Sequence, residues 1–460
     1  MSETRPIHLV EVVPPPLEVP DQQPFIEASE FEARLAALQQ AVDADWIVVY
    51  GDREHAASLI FLTNLDPRFE EALLVLGRGT RTLILGKEDV GYVPIVPIDV
   101  HVICCPTLSL MGIDRSGGPT LEGALRELGL GQGDRVGVVG WKALEPGEWD
   151  GREPAIFAPA FFVDLLRGMA ASVFDATAVL TSARSGQRTF ATADQIAVFE
   201  WGASRCSSWV HAILGAARPG VSEHEAFRVA PWGGEPVSYH PVFASGPDVA
   251  VGLRSPSSRR LELGDAAVVA VGLWGGNTAR GGLVAASVDD LTNASEGYLE
   301  RLAIPYWRAI AMWYETLAVG VVGGEIFEAI TELLAGEEFS SSLNPGHLIH
   351  YEEWLHSPIR RGSEDPIASG MVLQCDMIPT GIRAGWTINC EDTVVVADRA
   401  LRAELSARHP ELWARIRARQ EYVRNSLGVR LPDGVLPLSC TPCYFRPFWL
   451  SPSTALAFAQ

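Results

Sequence analysis

Two stretches near the C-terminal end decide the reading of the fold: Met371-Val-Leu-Gln-Cys-Asp-Met-Ile378 and Thr387-Ile-Asn-Cys-Glu-Asp-Thr-Val-Val-Val396. Both are β-rich, and a third such run, Ala266–Val271, stands far upstream. Helical periodicity fills the interval over Gly297–Val319 and Gly324–Leu334. Strands far apart in sequence with helical pairs between them predict an α+β domain whose sheet is closed by distant segments. Cys375 and Cys390 each immediately precede an acid. Alternation along a strand aims each thiol away from the face its acid occupies, so both read as core thiols rather than nucleophiles.

Working outward, Ile26–Gln40 has helical spacing and is followed by short β-rich runs at Trp46–Tyr50, Ala72–Leu76, Arg81–Leu85, Val100–Cys104 and Arg135–Val139. Helical patterns at Glu54–Leu62 and Thr120–Leu128 lie among them, which predicts an α/β domain. The chain turns polar at Thr181–Phe190 and then runs as a long amphipathic helix over Ala191–Ala217; Asp398–Leu427 reads as another. The expected division is an extended arm at 1–25, an N-terminal α/β domain at 26–183, an α+β domain at 184–430 and an aromatic tail at 431–460. Tyr444, Phe445, Phe448 and Trp449 make that tail too apolar to be loose.

At 460 residues the chain suits two or three domains. Lys plus Arg number 36 against 57 Asp plus Glu, a net charge of −21. Nucleic-acid and anionic-membrane partners select clustered basic residues, so neither is expected. Met1–Gln23 carries acids and a triple proline where a secretory peptide needs an apolar run, and the apolar stretch Ala309–Val322 is broken by Glu315. Seven cysteines without a regular framework fit a reducing compartment, and a cytoplasmic protein is expected. Cys440-Thr-Pro-Cys443 stands alone, without the second pair a zinc knuckle needs, and Gly272-Leu-Trp-Gly-Gly lacks the lysine and following helix of a phosphate loop.

Several segments, taken in order, resemble the creatinase / aminopeptidase P / prolidase family, the enzymes of the pita-bread fold. They are Phe61-Leu-Thr-Asn64 with Glu71–Leu76, Ala217-Arg-Pro-Gly-Val221, Ala244-Ser-Gly-Pro247, Arg259–Asp265, Pro345-Gly-His347, His356-Ser-Pro-Ile359, Ser369-Gly-Met-Val372 and Cys390-Glu-Asp-Thr-Val394. The resemblance covers roughly residues 30 to 400 and implies an α/β N-terminal domain plus an α+β pita-bread C-terminal domain. It also implies five metal ligands, two aspartates, a histidine and two glutamates, which hold two divalent ions and a bridging water. Here the chain departs from the family. The first aspartate position holds Ala270, the second falls at Gly281, and the window Ala266–Val288 contains no carboxylate at all. His347 stands at the histidine position, Asp376 replaces the first glutamate and Glu391 keeps the second. The family's metal-free branch works with one histidine as acid and base, and the matching position holds Leu253.

The resemblance therefore implies a divergent member lacking both metal-ligand aspartates, with His347, Asp376, Glu391 and His356 as catalytic candidates. No cofactor is expected; if one divalent ion binds, His347, Asp376 and Glu391 are its ligands. Candidate substrate-binding residues are His240, which precedes the first family strand, and His350, which stands where the family has glycine. Arg254 and Arg280 join them, since a guanidinium near the lost aspartates suits a substrate carboxylate. Asp365, Arg383 and Trp386 are not placed by the sequence. Three functions remain open: an enzyme acting on a small polar molecule at a C–N bond without the two metals, an Xaa-Pro dipeptidase or aminopeptidase with one ion, and a non-catalytic binding module. A homodimer is expected, with the arm and tail as interface segments.

Overall fold

The computed structural model describes residues 5–291 and 296–459, and the chain divides into two compact units, residues 26–189 and residues 190–460 with 1–25. The smaller unit is built on a six-stranded sheet in the order His101–Cys104, Thr80–Leu85, Ala72–Gly77, Trp46–Gly51, Arg135–Val139, Ser172–Asp175. The two pairings through Ala72–Gly77 are antiparallel and the other three parallel. Trp46, Val48, Leu73, Val75 and Val138 bury their side chains in one cluster, with Trp46 Nε1 donating to Asp134 at 3.0 Å. The short edge strand Ser172–Asp175 and the helix Ala160–Met169 are elements the periodicity did not reveal.

The larger unit holds the seven strands that shape the site: β1 (Val242–Ser245), β2 (Ala266–Leu273), β3 (Gly276–Leu283), β4 (His347–Leu348), β5 (Val372–Cys375), β6 (Asn389–Val396) and β7 (Val435–Pro437). They form one antiparallel sheet in the order β4-β5-β6-β3-β2-β1, with β7 also paired to β6. Strand β3 reads GNTARGGL, which carries little β signal, yet every residue of it is buried. Its glycines explain this. The 24-residue helix α1 (Ala193–Ala216) lies so close that a Cβ on Gly276 would stand 2.3 Å from Ala203 Cα.

The arm and the tail are two strands of one ladder: Ile7–Glu11 pairs antiparallel with Thr454–Phe458. Phe448 and Trp449 are buried, each stabilising the unit by about 2 kcal/mol at ordinary apolar transfer values. The charged segment near the C-terminus is two helices, Arg399–Arg408 and Pro410–Asn425, rather than one. Pro410 has no N–H to continue the first helix and fits the first turn of the second. Among the described residues no helix is long and apolar enough to cross a membrane.

Candidate active site

Strands β1, β2, β3 and β6 set Val242, Ala270, Ala279 and Glu391 in one row across the sheet, Val242 opposite Ala270, Ala270 opposite Ala279, and Ala279 opposite Glu391. All four line a cavity of about 1040 Å³. Val268 and Asn277 share that face, as alternation requires, and no carboxylate from β2 or β3 joins them. At Gly281 a Cβ would stand 2.7 Å from Asn389 N, so backbone contact closes the second aspartate position.

The other half of the cavity is acidic. His347, on β4, is fully buried, and its Nε2 lies 3.1 Å from Glu353, 3.8 Å from Asp376 and 4.0 Å from Glu391. Asp376 follows the last residue of β5, and Glu391 sits on β6. The backbone bonds Leu348 N to His356 O at 2.7 Å and Leu355 N to Leu348 O at 2.9 Å fold the intervening loop back, which lays Trp354 flat on the His347 ring with centroids 4.1 Å apart. Glu391 Oε1 accepts from Asn277 Nδ2 at 2.7 Å and Gln374 Nε2 at 3.0 Å, and Tyr239 donates to Asn277 Oδ1 at 2.5 Å. Asp376 Oδ1 is buried and has no hydrogen-bond partner among the described residues.

Burial dominates the electrostatics. It lifts the Asp376 carboxyl, which the His347 charge restrains and Glu353 pushes further, to about 6. Glu391 rises well above the ordinary glutamate value through burial first, then the charges of Asp376 and Glu353. For His347 burial disfavours the imidazolium, but contact with Glu353 and the charge of Asp376 outweigh it and raise its pKa.

The structure gathers His347, Asp376 and Glu391 at one point, while the other expected residues scatter. His356 is not among the cavity residues; its Nδ1 accepts from Ser357 N at 2.8 Å. His350 turns into the core, where its ring meets Phe199 and Tyr351 edge-on at 4.9 and 4.7 Å. Arg280 does not reach the cavity, because alternation places it on the opposite face of β3. There its guanidinium donates to Asp392 and to the Thr441 carbonyl, each at 2.7 Å. Arg254 pairs with Asp248 and is not a lining residue. His240 does line the cavity mouth, its Nε2 2.8 Å from the Leu253 carbonyl, and Leu253 beside it is exposed. Cys375 and Cys390 are buried, on the face away from Glu391.

Sequence reasoning missed Glu353, Asn277, Gln374 and Trp354 as site residues. Glu353 stood in view between His347 and His356, but only the folded-back loop shows that it faces His347. Arg383 and Trp386, unplaced by the sequence, line the cavity rim, the guanidinium stacked 5.2 Å from the indole centroid. Asp365 is buried and pairs with Arg360 at 3.0 Å.

The residues present do not fit a pair of metal ions, since the hairpin β2–β3 offers no anionic ligand. They do fit a single ion: atoms of His347, Glu353 and Glu391 lie within 4.8 Å of one another, and Asp376 stands beside them, 3.8 Å from His347 Nε2.

Models of protein families and curated proteins were both searched with the sequence, and neither gave a match. Solved structures do match. A prolidase from Thermococcus sibiricus superposes with a TM-score of 0.60 at 15% identity, over 81% of this chain and 94% of that one. Dipeptidase PepE from Mycobacterium ulcerans gives 0.59 at 18% identity over 81% and 94%. X-Pro aminopeptidase from Thermotoga maritima gives 0.59 at 15% over 80% and 95%. The chain thus has the pita-bread fold of the prolidases, Xaa-Pro dipeptidases and aminopeptidases P.

Proposed function

We propose that this chain is a hydrolase cleaving a C–N bond in a small molecule, with His347, Glu353, Asp376 and Glu391 as its reactive cluster and no pair of metal ions. The observation that carries the reading is the convergence of three cavity-lining carboxylates on one buried imidazole. Two acids with different partners suit general acid–base work. Asp376, ionised above about 6 and with one oxygen unpartnered, takes a proton from water as the water oxygen bonds to the substrate carbon. Glu391, which holds its proton to higher pH, gives that proton to the nitrogen as the C–N bond breaks. His347 is a positioning residue: it holds the acids in register, and its charge offsets theirs. Turnover then rises with pH as Asp376 ionises and falls as Glu391 loses its proton. The test is a panel of amides and other C–N substrates assayed across pH, with Glu391→Gln as control. Turnover that Glu391→Gln leaves intact would move the chemistry elsewhere.

A second reading has its own observation. The one-ion set of His347, Glu353 and Glu391, on the fold of proteins named Xaa-Pro dipeptidase and X-Pro aminopeptidase, supports a mononuclear peptidase. A bound ion would supply Lewis acidity at the scissile carbonyl. About one equivalent of zinc, iron or manganese in the purified protein, with activity lost on its removal, would favour this reading.

A further inference from the structure

We infer that the cavity takes an amphiphilic cation, a ligand whose protonated nitrogen sits at the carboxylate cluster and whose apolar body lies along the walls. This deepens the hydrolase reading and rests on it for the position of the scissile bond, though not for binding itself. Three independent features point to such a ligand. First, Glu353, Asp376 and Glu391 all line the cavity around the one buried imidazole of His347, and Asp376, only 3% exposed, keeps an unpartnered oxygen there. A buried acceptor without a donor is a place for a ligand N–H. Second, among the described residues the one cation at the cluster, His347, already faces its three acids, and no arginine or lysine joins it there. Arg280 is bound to Asp392 on the far face of the sheet, and Arg254 to Asp248 outside the cavity. Arg383, at the rim, stacks on Trp386 and lies 3.7 Å from Glu338. Third, large apolar side chains remain open to solvent in the lining: Leu253 at 73%, Leu343 at 43%, Ile378 at 37% and Trp354 at 37%. An apolar wall left wet above an anionic floor is complementary to one class of small molecule and mismatched to a free dipeptide, whose C-terminal carboxylate would meet like charge.

The test uses the full-length protein near neutral pH and four probes without a scissile bond: 4-phenylbutylamine, 4-phenylbutanol, 4-phenylbutyrate and butylamine. Calorimetric titration is expected to rank phenylbutylamine at least about tenfold tighter than the alcohol and about tenfold tighter than butylamine, with phenylbutyrate weakest. Asp376→Asn is expected to weaken the amine about tenfold and leave the alcohol unchanged, so that the alcohol reports on the fold. If that variant does not fold, Glu353→Gln gives the same comparison at the most exposed carboxylate of the cluster. Butyrate binding as tightly as the amine, butylamine matching phenylbutylamine, or no amine binding at all would each overturn the inference. So would an amine affinity unchanged by the variant. The two readings fail separately: amine binding with no turnover of any amide sinks the hydrolase alone, and turnover without amine binding sinks only the ligand class.

Discussion

Glu391 and Asp392 are adjacent on one strand, equally buried, and face opposite sides of the sheet. Asp392 meets a cation: Arg280 donates to one of its oxygens and Thr441 to the other, and burial lifts it only to about 6 against that attraction. Glu391 meets neutral amides from Asn277 and Gln374 and two further acids, and it rises well above its usual value. A guanidinium restrains the rise that burial imposes on an acid and ties it into the fold, while an acid bonded by amides among other acids keeps a proton it can donate. The same contrast divides the cavity. Strands β2 and β3 bring it Val268, Ala270, Asn277 and Ala279, none of them titratable, whereas Glu353, Asp376 and Glu391 come from other segments.

The largest effect should come from breaking the reactive side. Glu391→Gln preserves size and can keep the Asn277 contact, so turnover should fall by about 10²- to 10⁴-fold while the melting temperature stays within a few degrees. An unfolded variant would make Glu391 structural, like its neighbour. Arg280→Met tests the structural side. It strands Asp392 without its cation and should cost about 3 to 4 kcal/mol in urea denaturation, as expected for half of a broken buried pair. A loss confined to substrate affinity would instead restore Arg280 to the site.

A smaller effect, of opposite sign, is expected at Asp376. Its pKa is raised from 3.8 to about 6, so the native state binds the proton more tightly than the unfolded chain and stability falls as pH rises through that window. Asp376→Asn removes the ionised form and should stabilise the protein by about 1 to 2 kcal/mol at pH values well above the window, with the gain shrinking in acid. A gain that does not depend on pH would contradict the assignment. The smallest effect concerns metal. With no acid on the β2–β3 face, chelator should leave the melting temperature unchanged and elemental analysis should find well under one ion per chain. Two ions per chain would refute the alignment of the hairpin itself.

Much of this was written in the residues. Window Ala266–Val288 has no carboxylate, and no packing can supply one, so the lack of an anionic ligand on β2 and β3 is a property of composition. Alternation likewise set Cys375 and Cys390 on the face away from their neighbouring acids, because the period of two is a local backbone constraint. The strand runs of residues 46–139 were legible for the same reason, whereas β3 was not, since its glycines answer to close neighbours, α1 at Gly276 and the Asn389 backbone at Gly281, rather than to strand propensity. Only the tertiary structure decided which charges meet. Arg280 and Glu391 belong to paired strands, yet one residue of register puts the guanidinium on the opposite face from the carboxylate. Glu353 reaches His347 because a loop folds back on β4, and His350, three residues from His347, turns into the core. Sequence fixes which groups exist and which way a strand sends them; their partners depend on contacts between distant segments, and for a buried acid the partner determines whether it holds a fold together or keeps a proton to give.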